Sequence, residues 1–322
     1  MKHKILIPQD VAEEGKKFLR AKGYEIVMGS GAEEKDLIND VKDCEAILLR
    51  TAPCTKNVLE AGKKLKIVAR HGAGYNNVDL DVANRLGIWV TNAPNATTDS
   101  VAEFTLGMII ATAKRSFLLN KAMLRGNFFF KNNHQGIDLV DKTLSIIGFG
   151  RIGMAVARKA YYGLGMNILF YNHSTKQDNV PGYAKQVDWD TAFSCADFVS
   201  IHVPLTKETA GFIDGSTFKL MKPSAYLINC ARGEVINEKD LIQAIRKGEI
   251  AGAHLDVLRK EPPESDNPLL HMDEITVTPH MASNTVECMK RMSEQAASQI
   301  DLVLSGYKPT WPVNKPKIVS NL

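Results

Sequence analysis

The sequence has few cysteines, a small net charge and no long apolar run. Its five cysteines are odd in number and never form a C-x-x-C pair, which argues against a disulfide framework or a zinc site and favours a reducing compartment. The formal net charge is +4 without a basic block, so the composition does not indicate nucleic-acid binding. The longest apolar stretch, residues 106–113, is too short to span a bilayer, and the N-terminus lacks a signal-peptide core. We therefore expect a cytoplasmic protein that binds no metal, membrane or nucleic acid.

A regular alternation of strand-like and helical segments fills the first part of the chain. The 322 residues suffice for two domains of ordinary size. Strand-like runs occupy 5–7, 25–27, 46–49, 66–69 and 88–90, and helical patterns lie near 10–21, 33–42, 55–62 and 79–86. Because strands that alternate with helices form parallel sheets covered on both faces, this part predicts an α/β fold with a doubly wound sheet.

A turn-rich segment, residues 91–100, interrupts the alternation. Ser100 and Glu103 have the spacing of a capping box, which predicts a long helix from Ser100 to about Leu124 that crosses between two domains. Three consecutive phenylalanines then lie in an arm at residues 125–131. Since they cannot all face one core, we expect this arm to be partly buried in another subunit.

Alternation resumes at residue 143, from which six strand-like runs predict a second sheet of the dinucleotide-binding type. The last helical pattern, 284–305, stops at Gly306, a residue type that favours helix C-termini. We expect this helix to return to the first domain. The predicted domains are residues 1–99 with 288–322 for substrate, and an inserted cofactor domain at 100–287.

A glycine-rich turn, Gly148-x-Gly150-x-x-Gly153, joins the first strand of this second sheet to a helical pattern. In this context the first glycine allows a tight turn, the second lets backbone approach a pyrophosphate, and the third permits the helix to pack on the strand. We expect the turn, including Arg151 and Ile152, to bind a dinucleotide. An ordinary strand–helix turn is the alternative.

Three ionisable residues follow predicted strands at the edge where ligands bind in open α/β sheets: Arg232, Glu261 and His280. Each has a structural alternative, namely a surface ion pair, a loop carboxylate and a hydrogen-bonding imidazole. Together they are the groups that hydride transfer to a 2-keto acid requires. A guanidinium grips the carboxylate, an imidazolium gives a proton to the carbonyl oxygen, and a carboxylate keeps that imidazole charged and oriented.

The sequence resembles the D-isomer-specific 2-hydroxyacid dehydrogenases nearly from end to end. The matching motifs lie at 70–79, 92–95, 101–103, 148–153, 202–206, 229–233, 255–257, 261–262 and 279–280. The resemblance implies a Rossmann NAD(P)-binding domain inserted in a flavodoxin-like substrate domain, and a homodimer made through the cofactor domain. It also implies that Arg232 binds the substrate carboxylate and that Glu261 and His280 form the acid/base pair.

Further site residues are implied by the same resemblance. The loop Gly72–Asn76, which contains Ala73, Gly74 and Tyr75, would add backbone N–H donors to the substrate carboxylate, and the alternative for its glycines is a simple turn. Asp256 would hold the nicotinamide carboxamide, and its alternative is to cap a loop. The other residues expected beside the cofactor are Val203, Pro204, Cys230 and Ala231. We expect cofactor to bind before substrate, which enters an interdomain cleft that closes and expels water. His254 falls inside a predicted strand and is expected to have no role.

The chain departs from the usual NAD pattern at the end of the second strand of the cofactor domain. An acidic residue normally holds the ribose 2′-OH there, whereas this chain has Asn172, followed by His173, Ser174 and Lys176. These side chains supply donors and positive charge without repelling a 2′-phosphate, so NADP is favoured over NAD. The alternative is that Asn172 bonds the 2′-OH of NAD.

The substrate is less visible in the sequence. With NADP favoured, and with no C-terminal regulatory domain expected, small polar acids such as glyoxylate or hydroxypyruvate fit best. Ser283 is a candidate to bond a substrate hydroxyl. Arg50 is a candidate for binding a phosphate or a second carboxylate, so phosphoglycerate remains open as a substrate.

A non-enzymatic NAD(H)-sensing protein and a phosphite oxidoreductase are the rival functions, because fold alone excludes neither. Formate dehydrogenase is disfavoured, because that branch has Gln at position 261.

Overall fold

The chain forms two compact α/β units in a computed structural model that describes residues 2–174 and 180–316. The first unit joins the part of the chain up to Thr97 with a C-terminal part that starts at Asn284, and the second unit is Thr98–Ser283. These boundaries lie two and four residues before the predicted ones.

The first unit is built on five parallel strands in the order β2-β1-β3-β4-β5, the flavodoxin-like order. The strands are β1 Lys4–Ile7, β2 Glu25–Met28, β3 Ala46–Leu49, β4 Ile67–Arg70 and β5 Trp89–Thr91. The connecting helices are α1 Glu13–Ala21, α2 Glu34–Asp40, α3 Lys56–Ala61 and α4 Leu80–Arg85. The central strand β3 is buried along its whole length, as expected for a parallel sheet covered on both faces. The predicted fold class is confirmed in this unit.

The predicted long helix after β5 is wrong, because the chain forms two helices, α5 Thr98–Ala113 and α6 Ser116–Leu124. Arg115, whose φ of 52° lies in the left-handed region, separates the two helices. A returning segment reaches the end of α5 at this break, where Ile137 N donates to Ala113 O over 2.9 Å. Ser100 is buried inside α5 and does not cap it, since the helix begins two residues earlier.

The aromatic arm after α6 folds as a short 3-10 helix, Phe128–Asn133. Phe130 stacks on His134 with ring centroids 3.6 Å apart. Phe128 and Phe129 remain 54% and 73% exposed within the single chain. Burial of the arm in another subunit stays a prediction.

The second unit contains seven parallel strands in the order β12-β11-β10-β9-β6-β7-β8. They are β6 Thr143–Ile147, β7 Asn167–Tyr171, β8 Ala184–Gln186, β9 Phe198–Ile201, β10 Tyr226–Asn229, β11 Gly252–Leu255 and β12 Ile275–Val277. The helices are α7 Arg151–Leu164, α8 Trp189–Ser194, α9 Gly215–Phe218 and α10 Glu238–Arg246. The prediction of six strands missed β8, a three-residue edge strand of sequence Ala-Lys-Gln, which contains no apolar run. The strand order reverses at β6, which creates the crevice where such sheets bind ligands.

The last helix, α11 Val286–Leu304, packs in the first unit. Thr285 is its N-cap, whose side chain accepts from Cys288 N, and the helix ends before Gly306, which has a positive φ of 86°. Gly15 of α1 makes the close contact with this helix: its N–H donates to Ser293 Oγ, and a Cβ there would meet that atom at 2.1 Å.

No helix in the described part of the chain is both long and apolar enough to cross a membrane. All five cysteines are free thiols: Cys44, Cys54 and Cys288 are buried, Cys230 is partly exposed and Cys195 is exposed.

Candidate active site

The glycine turn after β6 has the form that a dinucleotide needs. Gly148 has a φ of 97°, and a Cβ there would meet His202 O at 2.7 Å. A Cβ on Gly153 would meet Gly148 O at 2.3 Å. Both glycines are therefore required by the packing of the protein itself. At Gly150, by contrast, a Cβ would meet nothing within 4 Å. The open space at Gly150 leaves the backbone accessible to a pyrophosphate, so the turn fits the group that the sequence predicts.

Helix α7 starts at this turn and adds an anion-binding end to it. Gly150 is the N-cap, and Arg151 and Ile152 form the first turn of a helix of 14 residues. The free N–H groups at such an end carry a partial positive charge that favours phosphate. The predicted role of the two residues stays a prediction, while the helix start on which it depends is present.

The ends of β9 and β10, the next two strands from β6 in the sheet, bring further predicted cofactor residues to the same edge. Val203 follows β9, and its Cγ1 would lie 2.8 Å from a Cβ on Gly148, so it packs directly on the turn. Pro204 O accepts a hydrogen bond from Thr209 Oγ1 over 2.7 Å. Cys230 and Ala231 follow β10. Burial raises the pKa of the Cys230 thiol to about 12, which favours the protonated thiol over the thiolate.

Asn172 at the end of β7 is tied to the glycine turn. Its Oδ1 accepts from Phe149 N over 3.2 Å, and its Nδ2 donates to Ser174 O over 3.4 Å. Ser174 O also accepts from Gln186 Nε2 over 3.2 Å. His173 and Ser174 are exposed, and Lys176 lies outside the described residues. Asn172, which occupies the position of the usual acidic residue, therefore connects the glycine turn with Ser174.

Arg232 is presented by a loop that its neighbours hold firmly. The buried side chain of Asn229 accepts from Ala231 N and donates to Arg232 O, both over 2.9 Å. Arg232 Nη1 donates to Ala231 O over 2.6 Å. Burial lowers the pKa of the guanidinium, and the charges of Glu234 and Glu261 act in the opposite direction. Arg232 stays positively charged, because an arginine pKa begins far above neutrality.

Gly233 brings the Arg232 loop against the loop that carries Glu261. A Cβ on Gly233 would lie 2.0 Å from the carbonyl carbon of Leu258, so only glycine fits. Leu258 N in turn donates to Glu261 Oε1 over 3.1 Å. Sequence reasoning missed this glycine, because the backbone that it approaches lies in a different loop.

His280 and Glu261 form a direct pair. His280 Nδ1 lies 2.7 Å from Glu261 Oε2, and the two side chains are 48% and 38% exposed. Burial acts to raise the pKa of Glu261, but the hydrogen bond and charge of His280, with the Leu258 N–H, bring that pKa below its ordinary value. Glu261 is therefore a carboxylate that accepts from Nδ1–H, which leaves Nε2 of His280 for another partner.

Asp256 shapes the turn on which His280 stands. It is 1% exposed and accepts three hydrogen bonds from that turn: from Thr278 Oγ1 at 2.7 Å, Met281 N at 2.9 Å and Ala282 N at 2.8 Å. Burial raises the pKa of Asp256, although these three donors act to lower it. The expected contact of Asp256 with a nicotinamide carboxamide stays a prediction.

The predicted substrate residues of the first unit lie on two connected loops. Arg50 Nη1 donates to Asp10 O over 3.0 Å, and Arg50 O accepts from Asn77 Nδ2 over 3.1 Å. Asn77 also accepts from Arg70 Nε over 3.1 Å. Arg70 was not among the predicted site residues, and its guanidinium covers Gly72, whose φ is 147°.

The loop after Gly72 contains Ala73, Gly74 and Tyr75. Ala73 O accepts from Asn92 Nδ2 over 2.7 Å, and Tyr75 O accepts from Val78 N over 3.1 Å. Ser283, the other predicted substrate residue, is partly exposed at the end of the second unit. The structure thus brings Arg232, Glu261 and His280 into one set of packed loops, and the residues of the first unit form a separate set.

Comparison with known proteins identifies relatives for both units. A family model described as D-isomer specific 2-hydroxyacid dehydrogenase, NAD binding domain, matches residues 106–282. A D-3-phosphoglycerate dehydrogenase of Archaeoglobus fulgidus is 36% identical over 317 residues, which cover 98% of this chain and 60% of that protein. The chain spans about 60% of the length of the first curated relatives it matches.

Other relatives match over nearly their full length. A glyoxylate reductase of Thermococcus litoralis is 36% identical over 333 residues, which cover 100% of this chain and 99% of that protein. The solved structure of an NADPH-dependent glyoxylate/hydroxypyruvate reductase from Sinorhizobium meliloti, in complex with NADP and malonate, has a TM-score of 0.85 and 26% identity. That match covers 97% of each chain.

Proposed function

We propose that this chain, which belongs to the D-isomer specific 2-hydroxyacid dehydrogenase family, reduces a small 2-keto acid to the D-2-hydroxy acid with a nicotinamide dinucleotide. The family consists of oxidoreductases that act on CH–OH groups. The observation that carries the proposal is the 2.7 Å hydrogen bond between His280 and Glu261, in a loop that packs against the loop of Arg232. This set supplies an acid, its orienting carboxylate and an anion anchor.

The glycine turn and the strand ends beside it are proposed to hold the cofactor. The backbone of 148–153 would bind the pyrophosphate, with further contacts from Val203, Pro204, Cys230, Ala231 and Asp256. When bound, the dihydronicotinamide supplies the hydride that reduces the keto carbon.

The chain's own residues position the substrate and move one proton. The Arg232 guanidinium binds the substrate carboxylate and fixes the direction of the keto group. His280 holds a proton at Nε2 and gives it to the carbonyl oxygen, which becomes the hydroxyl of the product. Glu261 accepts from Nδ1–H and, as a carboxylate, favours the protonated imidazole that this step needs. The imidazole then regains a proton from solvent.

NADP is the proposed cofactor, with NAD as the alternative. Asn172 carries no charge that would repel a 2′-phosphate, and its two hydrogen bonds hold it at the end of β7. The exposed side chains of His173 and Ser174 add polar groups at the same place. Structural relatives include both an NADPH-dependent enzyme in complex with NADP and a 3-phosphoglycerate dehydrogenase with NAD⁺ bound, so the preference for NADP rests on Asn172.

Glyoxylate or hydroxypyruvate is the proposed substrate, and a phosphoglycerate dehydrogenase activity is the second candidate. Relatives of both kinds cover nearly the whole of this chain. One observation in the first unit favours the second candidate. The pKa of the buried His71 is lowered to about 4, mainly by burial and further by the charges of Arg50 and Arg70. Two guanidinium groups that act on one neutral histidine make that loop region cationic, as a phosphate would require. In either case Ala73, Gly74, Tyr75 and Ser283 stay proposed substrate contacts.

A homodimer through the second unit is also proposed. Large apolar side chains are exposed there in the single chain, including Leu124 at 84%, Phe129 at 73% and Val140 at 62%. A cavity of about 340 Å³ in the same unit is lined in part by Phe117 and Phe130. Exposed apolar surface of this kind is typical of a subunit interface. The cytoplasmic location stays a proposal that rests on cysteine usage.

A keto-acid panel tests the proposed function. Purified protein is assayed by nicotinamide absorbance with NADH and NADPH against glyoxylate, hydroxypyruvate, phosphohydroxypyruvate and pyruvate, with phosphite and NAD(P)⁺ as a separate arm. We expect turnover with glyoxylate or hydroxypyruvate and a higher kcat/KM with NADPH. Turnover confined to phosphohydroxypyruvate supports the second candidate. Inactivity on every substrate, with dinucleotide binding retained, overturns the enzyme proposal in favour of a sensor.

A further inference from the structure

A histidine outside the catalytic set is buried beside the turn of His280. His254 lies in β11, is 0% exposed, and its Nε2 is 3.2 Å from Thr278 Oγ1. Its Nδ1 has no hydrogen-bond partner among the described residues. An unsatisfied buried nitrogen costs stability, so the position of this side chain calls for an explanation beyond packing.

The contacts of Thr278 determine which group donates and which accepts between His254, Thr278 and Asp256. Thr278 Oγ1 donates its proton to the Asp256 carboxylate over 2.7 Å, so the hydroxyl has no second proton to donate to His254. Thr278 Oγ1 must then accept from His254 Nε2–H, and because no acceptor among the described residues faces Nδ1, the ring is the neutral tautomer with its proton on Nε2. Burial lowers the pKa of His254 to about 4, which agrees with a neutral ring at physiological pH.

The same chain of bonds ends on the backbone of the catalytic turn. Asp256 accepts from Met281 N and Ala282 N, and its own carbonyl accepts from His280 N over 2.8 Å. His280 has a φ of 50°, in the left-handed region. A non-glycine residue keeps that conformation only where its surroundings hold it. Asp256 therefore accepts hydrogen bonds from three consecutive residues of the turn, through its backbone carbonyl from His280 N and through its carboxylate from Met281 N and Ala282 N.

Two aromatic rings also neighbour His254. The ring of Phe117 in α6 is nearly parallel to the imidazole at 6.4 Å between centroids, and the ring of Phe104 in α5 lies tilted at 6.1 Å. The imidazole therefore has ring neighbours on helices α5 and α6 in addition to the hydroxyl of Thr278.

We propose that His254 is a positioning residue for the proposed reaction, which acts through Thr278 and Asp256 to hold the turn of His280 in its working geometry. The inference rests on the proposed function for its kinetic readout. It assigns a task to a histidine that the strand pattern leaves without one.

Substitutions that separate hydrogen bonding from packing test this inference. His254→Phe fills the space without a donor, whereas His254→Gln keeps an N–H at the far end of the side chain. Thr278→Val removes the hydroxyl at nearly constant shape, and Thr278→Ser restores it. We expect His254→Phe and Thr278→Val to lower kcat about tenfold with cofactor KM changed less than twofold, and the conservative variants to recover most of the loss. If His254→Phe does not fold, the Thr278 pair carries the same comparison.

A double variant identifies the route of the effect. Because His254 acts through Thr278, His254→Phe should cost little more in a Thr278→Val background. Multiplicative losses in kcat, or an unchanged kcat in His254→Phe, overturn the inference.

Histidine NMR keeps this result apart from a failure of the proposed function. If the wild-type protein turns over no substrate, the proposed function fails, but the His280 ring resonances still report the geometry of its pair with Glu261. We expect these resonances to move in His254→Phe and Thr278→Val and to return in the Gln and Ser variants. Resonances identical to wild type in all four variants overturn the positioning role.

Discussion

His280 Nδ1 lies 2.7 Å from Glu261 Oε2, and the two residues come from loops that follow different strands. The other carboxylate oxygen of Glu261 accepts a hydrogen bond from Leu258 N, so the carboxylate has little freedom to turn away from the imidazole. The pair therefore has a defined proton arrangement, with Nδ1–H toward Glu261, which leaves Nε2 for the proton transfer that we propose.

Glu261→Gln should change the pH dependence of reduction. The pKa of Glu261 lies below its usual range, so the carboxylate persists as pH falls until that lowered pKa is reached. Removing its charge disfavours the imidazolium, so the pH at which reduction slows should move down, and kcat at neutral pH should fall about a hundredfold. Steady-state pH profiles measure both. Glu264→Gln, at an exposed carboxylate paired with Lys260, is the matched control and should keep the wild-type profile.

Gly233→Ala should disrupt the packing of the two catalytic loops. The new Cβ would meet the Leu258 backbone at 2.0 Å, and backbone cannot move aside as a flexible side chain can. We expect a loss of about 3 kcal/mol or more in the free energy of unfolding, measured by urea denaturation. Gly163→Ala in α7, where a Cβ meets nothing within 4 Å, should instead stabilise the protein by about 0.5–1 kcal/mol. Equal effects of the two substitutions would contradict the packing argument.

Asn172→Asp should shift cofactor preference toward NAD. The carboxylate would repel a 2′-phosphate and bond a ribose 2′-OH, so the ratio of kcat/KM with NADPH to that with NADH should fall about tenfold or more. Asn167→Asp, at the exposed start of the same strand, should leave the ratio unchanged. If the ratio is unchanged in Asn172→Asp as well, Asn172 does not face the ribose.

Leu124→Glu should dissociate the proposed homodimer. Leu124 is 84% exposed in the single chain, so a charge there costs nothing in the monomer but is expensive inside an interface. Sedimentation velocity should find a dimer for the wild type and a monomer for the variant. Leu86→Glu, at a leucine 47% exposed in the first unit, should remain a dimer. A monomeric wild type would refute the interface.

Local patterns in the sequence predicted much of the fold and of the candidate site. The turn at Gly148 and Gly153 is recognisable because its glycines, the strand before and the helix after are adjacent in the chain. The strands before Arg232 and His280 are likewise visible as short apolar runs. These features depend on nearest neighbours alone, and the sheet order then brings them to one edge.

The remaining features depend on contacts between distant segments. The break at Arg115 lies beside the hydrogen bond that Ile137 N, in a later segment of the chain, donates to Ala113 O at the end of α5. Gly233 is required by the backbone of another loop, and His254 acquires its partner from the next strand of the sheet. No local pattern marks such residues, because their environment exists only after the chain has folded.

The turnover of His280→Ala, measured together with dinucleotide affinity, tests the central claim most directly. If His280 gives the proton from Nε2, kcat should fall by about a hundredfold or more, while the Kd for the cofactor stays within about twofold of wild type. A His280→Ala protein that binds the dinucleotide and retains near wild-type turnover would contradict the mechanism.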